Sequence, residues 1–174
     1  YKEPAELELW LQQGDRFTLF RRYPIQRFSG TLGPKIKEGD GQAPEGCYFV
    51  TPDRMNPNSR FHLSFDLGYP NQFDRRNGRT GSALMVHGSN VSIGCYAMGD
   101  AAIEEIWTLF RRALVGGQPF FSVHLFPFPL TGAVGRDVHE VVEFGKPHRD
   151  VLEVLKRVAA REGVPVSTFS DMSV

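Results

Sequence analysis

Apolar and polar residues alternate with period two in several short runs and recur every three to four residues in only two, which predicts a strand-rich domain with two helices. Leu7, Leu9 and Leu11 alternate with Glu8, Trp10 and Gln12, and Gly14-Asp15 follows as a turn. Phe17, Leu19, Tyr23 and Ile25 then alternate with polar partners, with Phe20 on the other face. This pattern is a β-hairpin. Residues 29–45 are dense in Gly, Pro and Asp and read as consecutive turns. Residues 47–51 and 61–65 read as strands, 56–59 as a turn, and 69–80 as a polar loop carrying Arg75, Arg76 and Arg79. Residues 82–86 form a compact apolar strand that runs into His87-Gly88.

Ile103, Ile106, Trp107, Phe110 and Leu114 recur at helical spacing. Asp100 is the expected cap of this helix. Glu104 and Glu105 early and Arg111 and Arg112 late suit its macrodipole, and Gly116-Gly117 stops it. Residues 120–126 and 141–144 read as strands. A last helix over 148–161 places Val151, Leu152, Leu155 and Val158 on one side, before Gly163 and Pro165. The expected class is mostly β (α+β), with two helices packed on the strands.

Composition narrows the function classes. The 174 residues are 41% hydrophobic and 23% charged, which is ordinary for one folded domain. Twenty basic residues balance twenty acidic ones, so net charge gives no pointer to nucleic acid or an anionic membrane. Residues 113–135 contain no Asp, Glu, Lys or Arg, but Gly116-Gly117, Pro119, Pro127 and Pro129 interrupt them, so they read as no transmembrane segment. Two cysteines are too few for a disulfide scaffold. The chain starts at Tyr1 without Met or an apolar leader, which reads as a trimmed or mature form.

The candidate chemistry lies in residues 82–100. A strand delivers His87 into a glycine turn, and Gly94-Cys95 follows. A thiol nucleophile needs a base in reach, because the thiolate attacks. Gly94 permits a tight turn whose N–H groups converge on a developing oxyanion. On spacing alone, a buried inert cysteine is the commoner outcome.

His87-Gly88, Ser92, Gly94-Cys95 and the following Tyr96-Ala97-Met98 resemble the active-site signature of the L,D-transpeptidase (YkuD-like) catalytic domain, in its YafK-like murein branch. Leu32-Gly33-Pro34-Lys35, Glu38 to Gln42, Pro44-Glu45-Gly46, Asn56-Pro57-Asn58-Ser59, Tyr69-Pro70-Asn71 with Asp74, Ser29-Gly30 and Phe126-Pro127-Phe128 are similar to that branch's other landmarks. The resemblance covers about residues 7–130, leaving 131–174 as a C-terminal extension within the same globule. It implies a twisted β-sandwich or open barrel and a cofactor-free, metal-free thiol acyl transfer.

The implied partners are peptidoglycan stem peptides, attacked at meso-diaminopimelate, in an exported, periplasmic protein. Cys95 is the implied nucleophile and His87 the base and later acid. Gly94 and Cys95 would supply oxyanion donors, and Ser92 would fix the turn. Tyr69, Asn71, Gly88, Ser89 and Tyr96 are the candidate substrate contacts. The wider family has a longer His-to-Cys segment, with His and Arg where this chain has Ile93 and Tyr96. These departures fit the YafK-like branch, and resemblance to that branch also implies release of murein-bound lipoprotein by hydrolysis as the alternative to cross-linking; a non-catalytic murein-binding module is a further one.

Sortases want a later Arg and a longer His-to-Cys separation, and papain-like peptidases place Cys before His. Cys47 reads as a small buried hydrophobe. The arginine cluster keeps a loop solvated or holds stem-peptide carboxylates. His139 and Glu143 have metal-pair spacing only on a helix, and Val141-Val142 favours a strand. His62 and His124 read as partly buried strand residues.

Overall fold

The structure, a computed structural model, describes residues 1–129. The expected strand at 141–144, the helix at 148–161 and the His139–Glu143 spacing lie outside the described residues. The opening alternation gives β1 (Glu6–Gln13) and β2 (Arg16–Pro24), an antiparallel hairpin. Its base is buried through Leu9, Tyr23 and Ile25, whereas Leu11 and Phe17 near the tip are exposed. Then come β3 (Arg27–Phe28), β4 (Gly46–Val50), β5 (Met55–Ser59), β6 (His62–Asp66), β7 (Met85–His87), β8 (Tyr96–Ala97) and β9 (Phe121–Leu125). Two α-helices accompany them, α1 (Gln72–Arg76) and α2 (Asp100–Val115).

The strands form three open sheets rather than a closed barrel: β1-β2, a five-stranded sheet ordered β3-β8-β7-β6-β5, and β4-β9. On the core face of the large sheet, Phe65 meets Phe110 of α2 at 5.5 Å and Phe121 of β9 at 5.4 Å between ring centroids. Phe110 and Phe121 stack on each other, and Ile103 and Ile106 of α2 are fully buried beside them. This aromatic cluster seats the amphipathic helix where its periodicity aims it.

Three local expectations give way. Residues 56–59 belong to a strand: Asn56 pairs with Ser64 and Ser59 with His62, across a break in register. The irregularity accommodates Pro57, which has no N–H for the ladder. The loop at 69–80 contains α1, started by a capping box in which Asn71 and Asp74 exchange side-chain-to-backbone bonds. The strand expected at 82–86 shrinks to β7, because Ala83 takes a positive φ of 52°.

The turn-rich segment at 29–45 is organised by a buried cation. Lys2 Nζ donates to the carbonyls of Thr31 (3.0 Å), Gly33 (2.8 Å) and Ala43 (2.9 Å) and pairs with Glu45 at 3.0 Å. Glu45 also accepts the Gly33 N–H, and Gln42 bonds the backbone of Thr31 and Gly33. Burial pulls the Lys2 pKa down against the opposing pull of Glu45. Segments without regular structure leave their backbone groups unpaired; here an ammonium from the chain's start takes three of the carbonyls. Replacing Lys2 by Met should lower unfolding free energy by about 3–5 kcal/mol, the cost of stranding a buried partner. Denaturant titration measures it, and a loss below about 1 kcal/mol would mean the pair behaves as a surface one.

Candidate active site

Strand register builds the site. β7 and β8 are parallel, with Val86 opposite Tyr96 and His87 opposite Ala97. One position back, Cys95 lies beside Met85, whose N–H donates to Cys95 Sγ at 3.4 Å. Residues in register share a face, so His87 and Cys95 project from the same side, on a diagonal between adjacent strands. A rise of about 3.3 Å per residue and a strand spacing of about 4.8 Å put their Cα atoms about 8 Å apart. Parallel strands ordinarily need a crossover of about a dozen residues. β7 and β8 are so short that residues 88–95 suffice, and the nucleophile candidate returns to the base's side.

His87 is only 2% exposed. Its Nδ1 lies 2.5 Å from the Gly88 carbonyl oxygen, an acceptor that requires a proton on Nδ1. The neutral ring therefore carries its lone pair on Nε2. Phe61 stacks on the imidazole at 4.7 Å between centroids. Burial lowers the His87 pKa below the ordinary histidine value, against the Gly88 carbonyl, which raises it. A neutral imidazole with a fixed tautomer is the form that accepts a thiol proton.

Cys95 is half-buried and free. Its thiol donates to the Ala83 carbonyl at 3.7 Å. Burial raises its pKa, the Met85 N–H lowers it, Asp66 raises it and Lys35 lowers it. Ser92 Oγ donates to the Cys95 carbonyl at 2.6 Å, which closes the turn. Gly94 has a φ of 93°, and an added Cβ would come within 3.1 Å of Leu84, so glycine suits both conformation and space. The Gly94 N–H, one of the two amides expected to face an oxyanion, donates to Ser29 Oγ.

The His87 turn is tied to the start of α2. The Met98 N–H donates to the His87 carbonyl, the Gly99 N–H to Ser89, and the Ser89 N–H to Asp100 Oδ1 at 2.7 Å. Asp100 is thus the first residue of α2, whose N-cap is Gly99; its carboxylate holds the Ser89 turn rather than capping the helix. A Cβ on Gly88 would lie 2.6 Å from Asp100 Oδ1 and 2.7 Å from the Phe61 carbonyl, so only glycine fits. His62, Ala83 and Ser89 all have positive φ, placing three strained backbones around the His87 and Cys95 side chains.

The remaining candidates do other work. Tyr96 is 3% exposed, points to the opposite face from Cys95 and donates to the Pro44 carbonyl at 2.7 Å. Tyr69 is 5% exposed and donates to the Lys35 carbonyl. Asn71 caps α1 and donates from Nδ2 to the Cys47 carbonyl. Tyr69 and Tyr96 are buried and Asn71 is half-buried, each with a hydrogen bond inside the fold, while Gly88 and Ser89 form the turn beside His87. Arg79 pairs with buried Asp74 at 2.8 Å, so it is no carboxylate receptor. His62 bonds Glu104 at 2.7 Å. Cys47 lies on β4 opposite His124, its thiol pushed up to about 11 by burial. Sequence reasoning assigned no role to Lys2, Phe61 or Asp66; the partners of Lys2 and Phe61 are distant in sequence, and Asp66 carries no local motif.

Two relatives are 43% identical to the chain over 133 residues: YafK of Escherichia coli strain K12 and of Escherichia coli O157:H7, each provisionally named an L,D-transpeptidase. The chain belongs to the L,D-transpeptidase family, in the YafK branch. The match covers 76% of this chain and 54% of each relative, so the chain spans about half the length of the relatives it matches. No protein-family model matches it. Among solved structures, the helical cell shape determining protein Pgp2 of Campylobacter jejuni superposes with a TM-score of 0.61 at 20% identity, over 91% of this chain and 54% of that one. Bd1075 of Bdellovibrio bacteriovorus gives 0.54 at 20% identity, over 91% and 55%. These two show the family's YkuD-like fold.

With the thiol raised and the imidazole lowered, both groups are neutral at pH 7. Iodoacetamide labelling of Cys95 in a Cys47→Ser variant should accelerate with pH, with a midpoint above the ordinary thiol value of about 8.5. A plateau reached below neutral pH would instead reveal a preformed thiolate–imidazolium pair.

Proposed function

We propose that this chain is a cysteine acyltransferase of peptidoglycan stem peptides, working through a Cys95 thioester. The observation that carries the reading is the shared face of β7 and β8, with His87 held in the tautomer that leaves Nε2 to accept a proton. Nε2 takes the thiol proton as Sγ attacks the carbonyl of the meso-diaminopimelate residue. The S–C bond forms, and the Cys95 amide donates to the oxyanion. The C–N bond to the terminal residue then breaks, and the departing amine takes the proton back from His87. An acceptor amine completes transpeptidation, or water completes hydrolysis.

Membership of the YafK branch supports peptidoglycan as the substrate and the cell envelope as the place of action. No described helix is long and apolar enough to cross a membrane. Water as acceptor gives the hydrolase reading, with murein-bound lipoprotein as the released product. A module that only binds murein would have no use for the fixed His87 tautomer.

On purified sacculi under reducing conditions, Cys95→Ala should abolish product formation and Cys47→Ser should keep it. His87→Gln should slow it by roughly 100-fold or more, the scale of a lost general base. Product analysis separates the outcomes: new cross-links mean transpeptidation, and released lipoprotein means hydrolysis. Turnover by Cys95→Ala would refute the thioester route, and sacculi bound without either product would favour the binding module.

A further inference from the structure

The strip of sheet that carries Cys95 also carries a carboxylate. Continuing the registers across β3, β8, β7 and β6 aligns Ser29, Cys95, Met85 and Asp66 on one face. All four are half-buried, whereas in the next row Ala97, His87 and Ser64 are buried and only Arg27, on the edge strand, is exposed. Ligand therefore reaches this face along the Cys95–Asp66 strip.

Asp66 Oδ1 accepts the Gly68 N–H at 2.6 Å, and the carboxylate has no ion-pair partner among the described residues. The nearby cations are committed elsewhere. Lys35 pairs with Asp40 at 2.5 Å and donates to the Lys37 carbonyl. Arg54, packed beside Gly68, donates to the carbonyls of Phe49 and Leu67. Taking a carboxylate partly out of water without a cation is unfavourable, and a cationic group arriving along the strip relieves it.

We propose that Asp66 receives the side-chain ammonium of the diaminopimelate residue whose carbonyl Cys95 attacks. The assignment rests on the stem-peptide reading above and adds to it the feature of the acyl donor that the site selects. Two strand spacings put the Asp66 and Cys95 Cα atoms about 10 Å apart. In the substrate, six bonds separate the attacked carbonyl carbon from that nitrogen, about 7 Å when extended. A donor lying across Met85 thus places its carbonyl at Sγ and its ammonium at the Asp66 carboxylate.

The test compares two stem tetrapeptides, one with the free side-chain amine and one with that amine acetylated, by the rate of Cys95 acylation in intact-mass measurements. The wild-type protein should prefer the free amine by roughly tenfold or more. Asp66→Asn, which keeps an oxygen for the Gly68 N–H, should lose that preference through a raised KM for the free-amine peptide, with the acetylated peptide unaffected. Equal wild-type rates on both peptides, or equal slowing of both by Asp66→Asn, would overturn the Asp66 assignment and leave the thioester reading standing. Acylation of wild-type protein by neither peptide would overturn both.

Discussion

Lys2 Nζ gathers three carbonyls and a carboxylate from a stretch of chain that has no strand or helix of its own. Without it, residues 29–45 would present polar backbone to the core with nothing to satisfy it. That stretch is closed by the Ala43 N–H donating to the Ser29 carbonyl, and it reaches the site through two bonds: Ser29 Oγ accepts the Gly94 N–H, and the Pro44 carbonyl accepts the Tyr96 hydroxyl. The cation near the chain's start is thereby connected to the turn that aims Cys95, and the precision of the site depends on distant parts of the sequence.

His87 and Cys95 are placed by backbone geometry more than by charge. Burial shifts both the imidazole and the thiol toward their neutral forms. What is fixed in advance is direction. Gly88 pins Nδ1, Phe61 covers the ring, Asp100 holds Ser89, and Ser92 closes the Cys95 turn. Such pre-positioning would lower the reorganisation needed for the proposed proton transfer. The positive φ values at His62, Ala83 and Ser89 are the local cost of that direction, offset by the core packed on the other side of the sheet.

Much of this was legible from the residues because it is local. Alternation announced the hairpin, the three-to-four spacing announced α2, and the His87 to Cys95 wording carried the family. The parts that escaped are the long-range ones. Ser29 meets Gly94 across 65 residues and Lys2 meets Ala43 across 41, and no periodicity records such pairings. Tyr69, Asn71 and Tyr96 show what a motif does not announce, their part in the fold: two lie in the core and one caps α1. The bulge at Asn56 to Ser59 misled for a third reason, since turn-forming residues sit inside a strand there.

Acyl transfer through Cys95 leaves a covalent trace, so mass is the direct measurement: wild-type protein mixed briefly with a stem tetrapeptide, quenched in acid, digested and sequenced by mass spectrometry. One tripeptide acyl group is expected on the fragment containing Cys95, labile to hydroxylamine, with the terminal residue released in equal amount. An acyl group on another residue, or release of the terminal residue by protein whose Cys95 has been blocked, would contradict it.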